Sequence, residues 1–281
     1  MYSANYLDQQ LHEKPIIITK ESKEQKQQQE STIAEMKSSE EELKVRNVMQ
    51  MEFINMAAHE LRTPIQPILG LSEVLTSRIK DTEQLQLLDA IVRNARRLQQ
   101  LTNDILDVTQ IESHSLNVMK ERFNLRDVIT NVIEDMSTTN NHLYNNEKIV
   151  KLLYEHKDIF VNADKGRVIQ VISNLVNNAV KFTKEGSISI EVEEKEDKRE
   201  DSQVKQLIVV KVKDTGIGLD SEILPKLFSK FATKSHHNHT GVGVGLGLFI
   251  SKNIVEAHGG KIWAENNVNE KRATFHVILP A

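Results

Sequence analysis

Residues 51–79, MEFINMAAHELRTPIQPILGLSEVLTSRI, decide the architecture of this 281-residue chain. Ile54, Ala58, Leu61, Ile65, Ile68, Ser72, Leu75 and Ile79 follow one another at alternating steps of four and three residues. That is a heptad stripe on a helix, sustained for more than three repeats with only Ser72 polar. A break follows at Lys80-Asp81-Thr82-Glu83, where Asp81 or Thr82 is placed to cap a second helix with Glu83 and Gln84 in its first turn. The second helix carries Leu85, Leu88, Val92, Ala95, Leu98, Leu101, Ile105 and Val108 and is expected to end near Ser113. Two amphipathic helices joined by a short turn make an αα-hairpin. One hairpin cannot cover both seams, whereas two can, as a four-helix bundle. The expected assembly is therefore a homodimer.

Outward from the hairpin the texture changes in both directions. Residues 1–46 hold 6 Gln, 9 acidic and 7 basic residues, with a weak seam of Ile33, Met36 and Leu43 interrupted by Glu40 and Asn47. They read as a polar lead-in, helical or partly disordered. Residues 47–115 are expected to form the dimerisation hairpin and residues 120–281 a second domain. In that domain helices are expected at 125–136, at 165–182 and within 242–258. Strands are expected at 148–153, 159–161, 187–192 and 207–212, with a closing hairpin of 261–265 and 273–279. Residues 193–206, with 6 acidic and 4 basic side chains, read as a solvated hairpin loop. The predicted fold is multidomain. An all-α antiparallel hairpin precedes an α+β two-layer sandwich, a largely antiparallel sheet with helices on one face.

Composition excludes several classes of function. Lys and Arg total 36 against 40 Asp and Glu, and the net charge of −4 comes with no long basic run, so no nucleic-acid partner is expected. The absence of cysteine removes disulfides, thiol catalysis and Cys-based metal sites. The longest apolar run near the N-terminus, Ile16-Ile17-Ile18, is far short of the ~18 residues a membrane span needs. The expected location is cytoplasmic, with membrane attachment only if the chain is a fragment.

Glycine placement shows where chemistry belongs. Four of the 11 glycines, Gly241, Gly243, Gly245 and Gly247, fall within seven residues and run directly into a helix. Closely spaced glycines let backbone N–H groups approach an oligophosphate, and the helix N-terminus adds partial positive charge. No G-K-[ST] ends the run, so it is not a Walker A loop. The helix at 165–182 carries Asn174, Asn177 and Asn178, a grouping unfavourable to helix propensity and so placed for another purpose. Amide oxygens are hard ligands suited to Mg²⁺, and Lys181 adds countercharge one turn further on. Asp214, at a strand end ahead of Gly216 and Gly218, sets a carboxylate where it can accept an amine proton from a flat base.

Four segments now stand in order: N-L-V-N-N-A-V-K-F-T (174–183), D-T-G-I-G-L (214–219), L-F-S-K-F-A-T-K (227–234) and G-V-G-L-G-L-F-I-S-K (243–252). They resemble the nucleotide-binding boxes of the GHKL-type ATP-binding domain of sensor histidine kinases. F-I-N-M-A-A-H-E-L-R-T-P-I (53–65) resembles the phosphoacceptor box of the same family. The resemblance covers residues 48 to 280.

It implies an ATP-dependent protein-histidine kinase of two-component signalling. His59 would be the phosphoacceptor, Glu60 its general base, and Thr63 a hydroxyl that orients water when the partner is dephosphorylated. Asn178 would hold Mg²⁺, with Asn174 lining the same site and Lys181 on the phosphates. Asp214 would take the adenine amine, with Gly216 and Gly218 permitting close approach. Gly243, Gly245 and Gly247 would form the flexible end of an ATP lid that Phe228 and Phe231 anchor in the core. Many relatives carry Tyr-Arg after the second Phe; here Ala232-Thr233-Lys234 stands, leaving Lys234 as the cation for the γ-phosphate. His236, His237 and His239 in the same segment read as exposed lid residues rather than metal ligands. Pro64 and Pro67 are expected to bend the helix below His59. The phosphoryl group would pass to an Asp of a separate response-regulator receiver domain, and input would arrive through a sensor or input partner. The alternative is a dimeric ATP-gated interaction module without the chemistry. An acid-labile, base-stable phosphate on His59 separates the two.

Overall fold

The computed structural model describes residues 5–139, 150–155, 157–198, 204–232, 244–266 and 272–281. Helix α1 spans Asn5–Arg78 and is shared between two units, Met1–Ala57 and Ala58–Ala281. The described part of the first unit is helix alone, and Ile33 and Met36 of its weak seam are exposed. No described helix is long and apolar enough to cross a membrane.

In the second unit α1 continues through Pro64 and Pro67 in helical conformation to Arg78. Asp81 ends the turn as N-cap of α2 (Thr82–Glu112), its Oδ1 accepting the Gln84 N–H at 2.9 Å. The cap satisfies one of the unpaired donors of the first turn. Half of the predicted stripe is sealed within the hairpin. Ala58, Ile65 and Ser72 on α1, and Leu88, Ala95, Thr102 and Thr109 on α2, form two buried rows with a seven-residue step. The other half, Leu61, Ile68 and Leu75 with Leu98 and Ile105, stays 42–47% exposed. Arg62 crosses between the helices, donating to Asn103 Oδ1 at 2.8 Å.

The rest of the unit is a two-layer sandwich. A five-stranded sheet has the order β2 (Val150–Tyr154), β4 (Gly186–Lys198), β5 (Val204–Asp214), β7 (Ala273–Pro280), β6 (Lys261–Asn266). β2 and β4 pair parallel, and the other pairs are antiparallel. β1 (Glu121–Asn124) and β3 (Phe160–Ala163) make a separate antiparallel pair. Helices α3 (Leu125–Thr139), α4 (Lys165–Phe182) and α5 (Gly247–Ala257) contribute to the core. Val171, Ile172, Leu175 and Val176 of α4 pack with Ile188, Ile190, Val210 and Val212 of the sheet.

The expected loop at 193–206 is instead mostly strand. β4 runs to Lys198, β5 starts at Val204, and Glu193 pairs with Val209. Glu193 of that stretch pairs with Lys211 across the two strands at 2.6 Å, beside the neighbouring cross-strand pair of Lys213 with Glu191 at 2.6 Å. Lys211 also keeps the Glu193 carboxyl below its usual pKa. Cross-strand pairs of opposite charge support such a ladder.

Candidate active site

α4 presents Asn174 and Asn178 on one face, a turn apart. Asp164 caps its N-terminus, with Oδ1 accepting the Arg167 N–H at 3.0 Å and Oδ2 accepting the Met119 N–H at 3.0 Å. Burial raises the Asp164 pKa, but these two N–H groups and the charge of Arg167 outweigh it and leave the carboxyl below its ordinary value. The Asp164 N–H donates to Nε2 of buried His258 at 2.9 Å, while His258 Nδ1 donates to the Ile254 carbonyl at 2.8 Å. The end of α5 is thereby pinned to the start of α4.

The other end of α4 is joined to the loop after β5. The Ile217 N–H donates to the Phe182 carbonyl at 3.3 Å, the Thr215 N–H to the Ser187 carbonyl at 3.1 Å, and the Ser187 N–H to Thr215 Oγ1 at 2.9 Å. A side chain at Gly216 would strike the Phe182 carbonyl and approach Asp214 Oδ1 to 2.9 Å. Gly218 adopts φ +73°, which an L side chain resists.

Asp214, 4% exposed, accepts the Gly216 N–H on Oδ1 at 2.9 Å. Burial raises its pKa, against the lowering effect of the Gly216 and Ala273 N–H groups. Beside Ala273, the hydroxyl of Thr274 is buried with no partner among the described residues, and so is that of Thr183 at the end of α4. Neither threonine was singled out in the sequence, since a buried hydroxyl announces itself only once its neighbours are known.

Asn174 is bracketed by α5. Its Nδ2 donates to Ser251 Oγ at 2.9 Å, and a Cβ on Gly247 would overlap its Oδ1. The Gly247 position therefore requires glycine because the start of α5 lies against an α4 side chain. Asn178 is half-buried and its side chain hydrogen-bonds no other described residue. Lys181 is exposed as a residue, yet partial burial of its ammonium group, and then the charge of Arg97 on α2, lower its pKa. Gly245 adopts φ +80° ahead of α5. Lys234, Gly243 and the three histidines at 236, 237 and 239 lie outside the described residues.

The two lid phenylalanines part company. Phe228 packs against the core as expected. Phe231 does not: its backbone takes φ +59° and its side chain is 64% exposed.

On the hairpin, His59 and Glu60 are both exposed, flanking buried Ala58, with the imidazole outside the hairpin core. Thr63 Oγ1 donates to the His59 carbonyl at 3.1 Å.

Fold and site thus define a class: a helical hairpin bearing an outward histidine, joined to a sandwich that gathers a buried carboxylate, helix-borne amides and glycine turns. Residues 163–281 match the family described as histidine kinase-, DNA gyrase B- and HSP90-like ATPase, and residues 49–114 match the His Kinase A (phospho-acceptor) domain. Histidine kinase 5 of Arabidopsis thaliana is 30% identical over 242 residues, covering 79% of this chain and 26% of the relative. The autoinducer 2 sensor kinase/phosphatase LuxQ of Vibrio vulnificus is 31% identical over 235 residues, covering 82% of this chain and 26% of the relative. The crystal structure of full-length ShkA in complex with AMPPNP shares the fold, with a TM-score of 0.59 at 23% identity over 82% of this chain and 45% of that one. The chain belongs to the sensor histidine kinases. It spans about a quarter of the length of these two curated relatives.

Proposed function

We propose that this chain is the kinase portion of a two-component system, using ATP to phosphorylate its own His59. The supporting observation is one chain that joins an exposed histidine on a hairpin to a sandwich with a buried, partly satisfied Asp214. Asp214 would accept the adenine amine, with Gly216 and Gly218 letting the base close on it. The orphaned hydroxyls of Thr183 and Thr274 suit a ligand bearing both donors and acceptors. Asn178 fits a hard cation, because its amide oxygen is engaged by no other described residue. Mg²⁺ would neutralise phosphate charge there when bound, with Asn174 beside it. Lys181 and Lys234 would supply further positive charge, and Gly243, Gly245 and Gly247 the flexible end of the lid.

In the transfer, an imidazole nitrogen lone pair of His59 forms the bond to the γ-phosphorus, and the bond from that phosphorus to the ADP oxygen breaks. Glu60 takes the ring proton, so the phosphorylated imidazole is left without an extra charge. An Asp carboxylate of a separate receiver domain then displaces the histidine. Thr63 would orient a water that hydrolyses the receiver's aspartyl phosphate, releasing inorganic phosphate, a role supported by the kinase/phosphatase name of one relative. The half-stripe of Leu61, Ile68 and Leu75 would be closed by a second copy as a four-helix bundle. Input would come through a sensor or other partner.

The test is incubation with γ-labelled ATP and Mg²⁺ beside a His59→Gln variant. Label confined to the unsubstituted chain, lost in acid and kept in base, is the expected result. Label retained in the variant would overturn the assignment.

A further inference from the structure

β4 outruns the strand beside it. β2 stops at Tyr154, opposite Ile190, whereas β4 continues to Lys198. On its other side β4 stays paired with β5 over that length, Glu193 opposite Val209 and Glu196 opposite Gln206. The phase of this ladder tells which backbone groups are spare. The Ser187 carbonyl accepts the Thr215 N–H at 3.1 Å, and the register continues without a bulge from Ile188 opposite Asp214 to Lys198 opposite Val204. In an antiparallel pair, alternate residues turn both backbone groups to the partner strand. Glu191, Glu193 and Lys195 therefore bond toward β5. Val192, Glu194 and Glu196 turn their N–H and C=O groups to the side that β2 occupies only as far as Ile190. Among the described residues no backbone hydrogen bond reaches Glu194 or Glu196 from that side.

This open edge borders a cleft of about 520 Å³ lined by Lys157, Asp158, Ile159, Val192, Glu193 and Glu194. Ile159 and Val192, each 5% exposed and part of the core, supply its apolar surface. The acidic groups around it are unevenly satisfied. Asp158 is held by Arg126 at 2.8 Å and by Asn124 at 2.6 Å, and Glu193 by Lys211 at 2.6 Å. Lys157 is paired with Glu155 at 3.0 Å. Glu194 and Glu196 are exposed and form no ion pair with another described residue. Two residues apart, they share with Val192 one face of the strand. Charged side chains on an edge discourage indiscriminate strand pairing, and charges of one sign favour a complementary strand. A second copy pairing there about a twofold axis would set these carboxylates against one another.

We propose that the edge of β4 from Val192 to Glu196 is a docking site for an extended basic segment of a partner protein, which adds to the sheet as a strand where β2 leaves off. The outward backbone groups of Val192, Glu194 and Glu196 hold the added strand, and the side chains select it. Because side chains alternate along a strand, the residues that face Val192, Glu194 and Glu196 are spaced by two. The site therefore reads one apolar residue, set into the cleft, and two Lys or Arg at the next alternate positions. Asn174, Asn178 and Asp214 take no part, so the inference stands apart from the nucleotide chemistry and from the kinase reading.

The test titrates the full chain with end-blocked, dye-labelled peptides: T-V-T-K-T-K-T, the same sequence reversed, and a copy of each with Glu in place of Lys. One of the two basic peptides is expected to bind, and its Glu copy about tenfold or more weakly, since two attractive cross-strand pairs become two repulsive ones. Amide-resolved hydrogen exchange in the presence of the bound peptide should show added protection at Glu194 and Glu196. Glu193 and Lys195, whose N–H groups already bond toward β5, should show none. The double variant Glu194→Lys with Glu196→Lys should reverse the charge preference. Glu194→Pro removes an outward N–H without touching the β5 ladder and should weaken binding about threefold or more. Both variants should keep the affinity for a fluorescent ATP analogue within about twofold, which shows that they are folded. Equal binding of basic and acidic peptides, binding without protection at Glu194 and Glu196, or no binding of either basic peptide overturns the proposal. So does concentration-dependent protection of those two amides in the chain alone, which assigns the edge to a second copy.

Discussion

Replacing Asp214 with Asn tests the nucleotide site at its most buried point. The carboxylate accepts backbone N–H groups from Gly216 and Ala273 and still has lone pairs for an adenine amine. An asparagine has one oxygen for these three donors and turns an NH₂ toward at least one of them. A hydrogen bond to a charged group contributes about 1.5–3 kcal/mol, which at about 1.4 kcal/mol per decade weakens nucleotide binding roughly 10- to 150-fold. The assay is displacement of a fluorescent ATP analogue from the full chain, with a thermal melt confirming that the variant is folded. A folded variant whose Kd changes less than about threefold would refute the assignment of the base-recognition carboxylate.

Other expectations follow from the same coordinates. Because burial raises the Asp214 pKa, nucleotide affinity should begin to fall, as pH is lowered, above the ordinary value of 3.8; titrating binding against pH should show this dependence and its loss in Asp214→Asn. The sign for the free protein is opposite: a carboxyl with a raised folded pKa favours the fold at low pH, and that contribution disappears as pH rises through it. Gly247→Ala drives a Cβ into the Asn174 amide and should cost about 1–3 kcal/mol from overpacking, read as a lowered Tm and weaker analogue binding. Ile68→Glu places a charge on the open half-stripe and should convert a dimer to monomer in sedimentation, with the helical signal largely kept.

The hairpin was legible because one period governs it. Ala58, Ile65 and Ser72 repeat at seven residues, and Asp81 is an N-cap whose side chain has a local job. The glycine-dependent approaches at Gly216 and Gly247 were legible as flexibility, but not their targets, the Phe182 carbonyl and the Asn174 amide, which come from other elements. The extension of β4 and β5 was hidden because Glu193, Glu194, Lys195, Glu196, Asp197 and Lys198 look like solvated loop until their pairing with residues 204–209 is known. The exposure of Phe231 depends on a backbone φ that the residue type disfavours. Asp107 and Arg167 each look like ordinary helix-surface charges, and only tertiary packing brings them together.

Asp107 and Gln110, which bond to Arg167 of α4, and the buried hairpin row occupy different faces of α2, so this helix also works as an angular index. Inserting a single residue between Thr102 and Asp107 would swing the docking side chains by about 100° while advancing them only about 1.5 Å. Seven inserted residues would return the face to within about 20° but move it about 10 Å along the axis. Length variation in this stretch is thus quantised by helical phase. Most insertions would leave both the hairpin and the sandwich intact and yet aim the sandwich at the wrong side of its own hairpin.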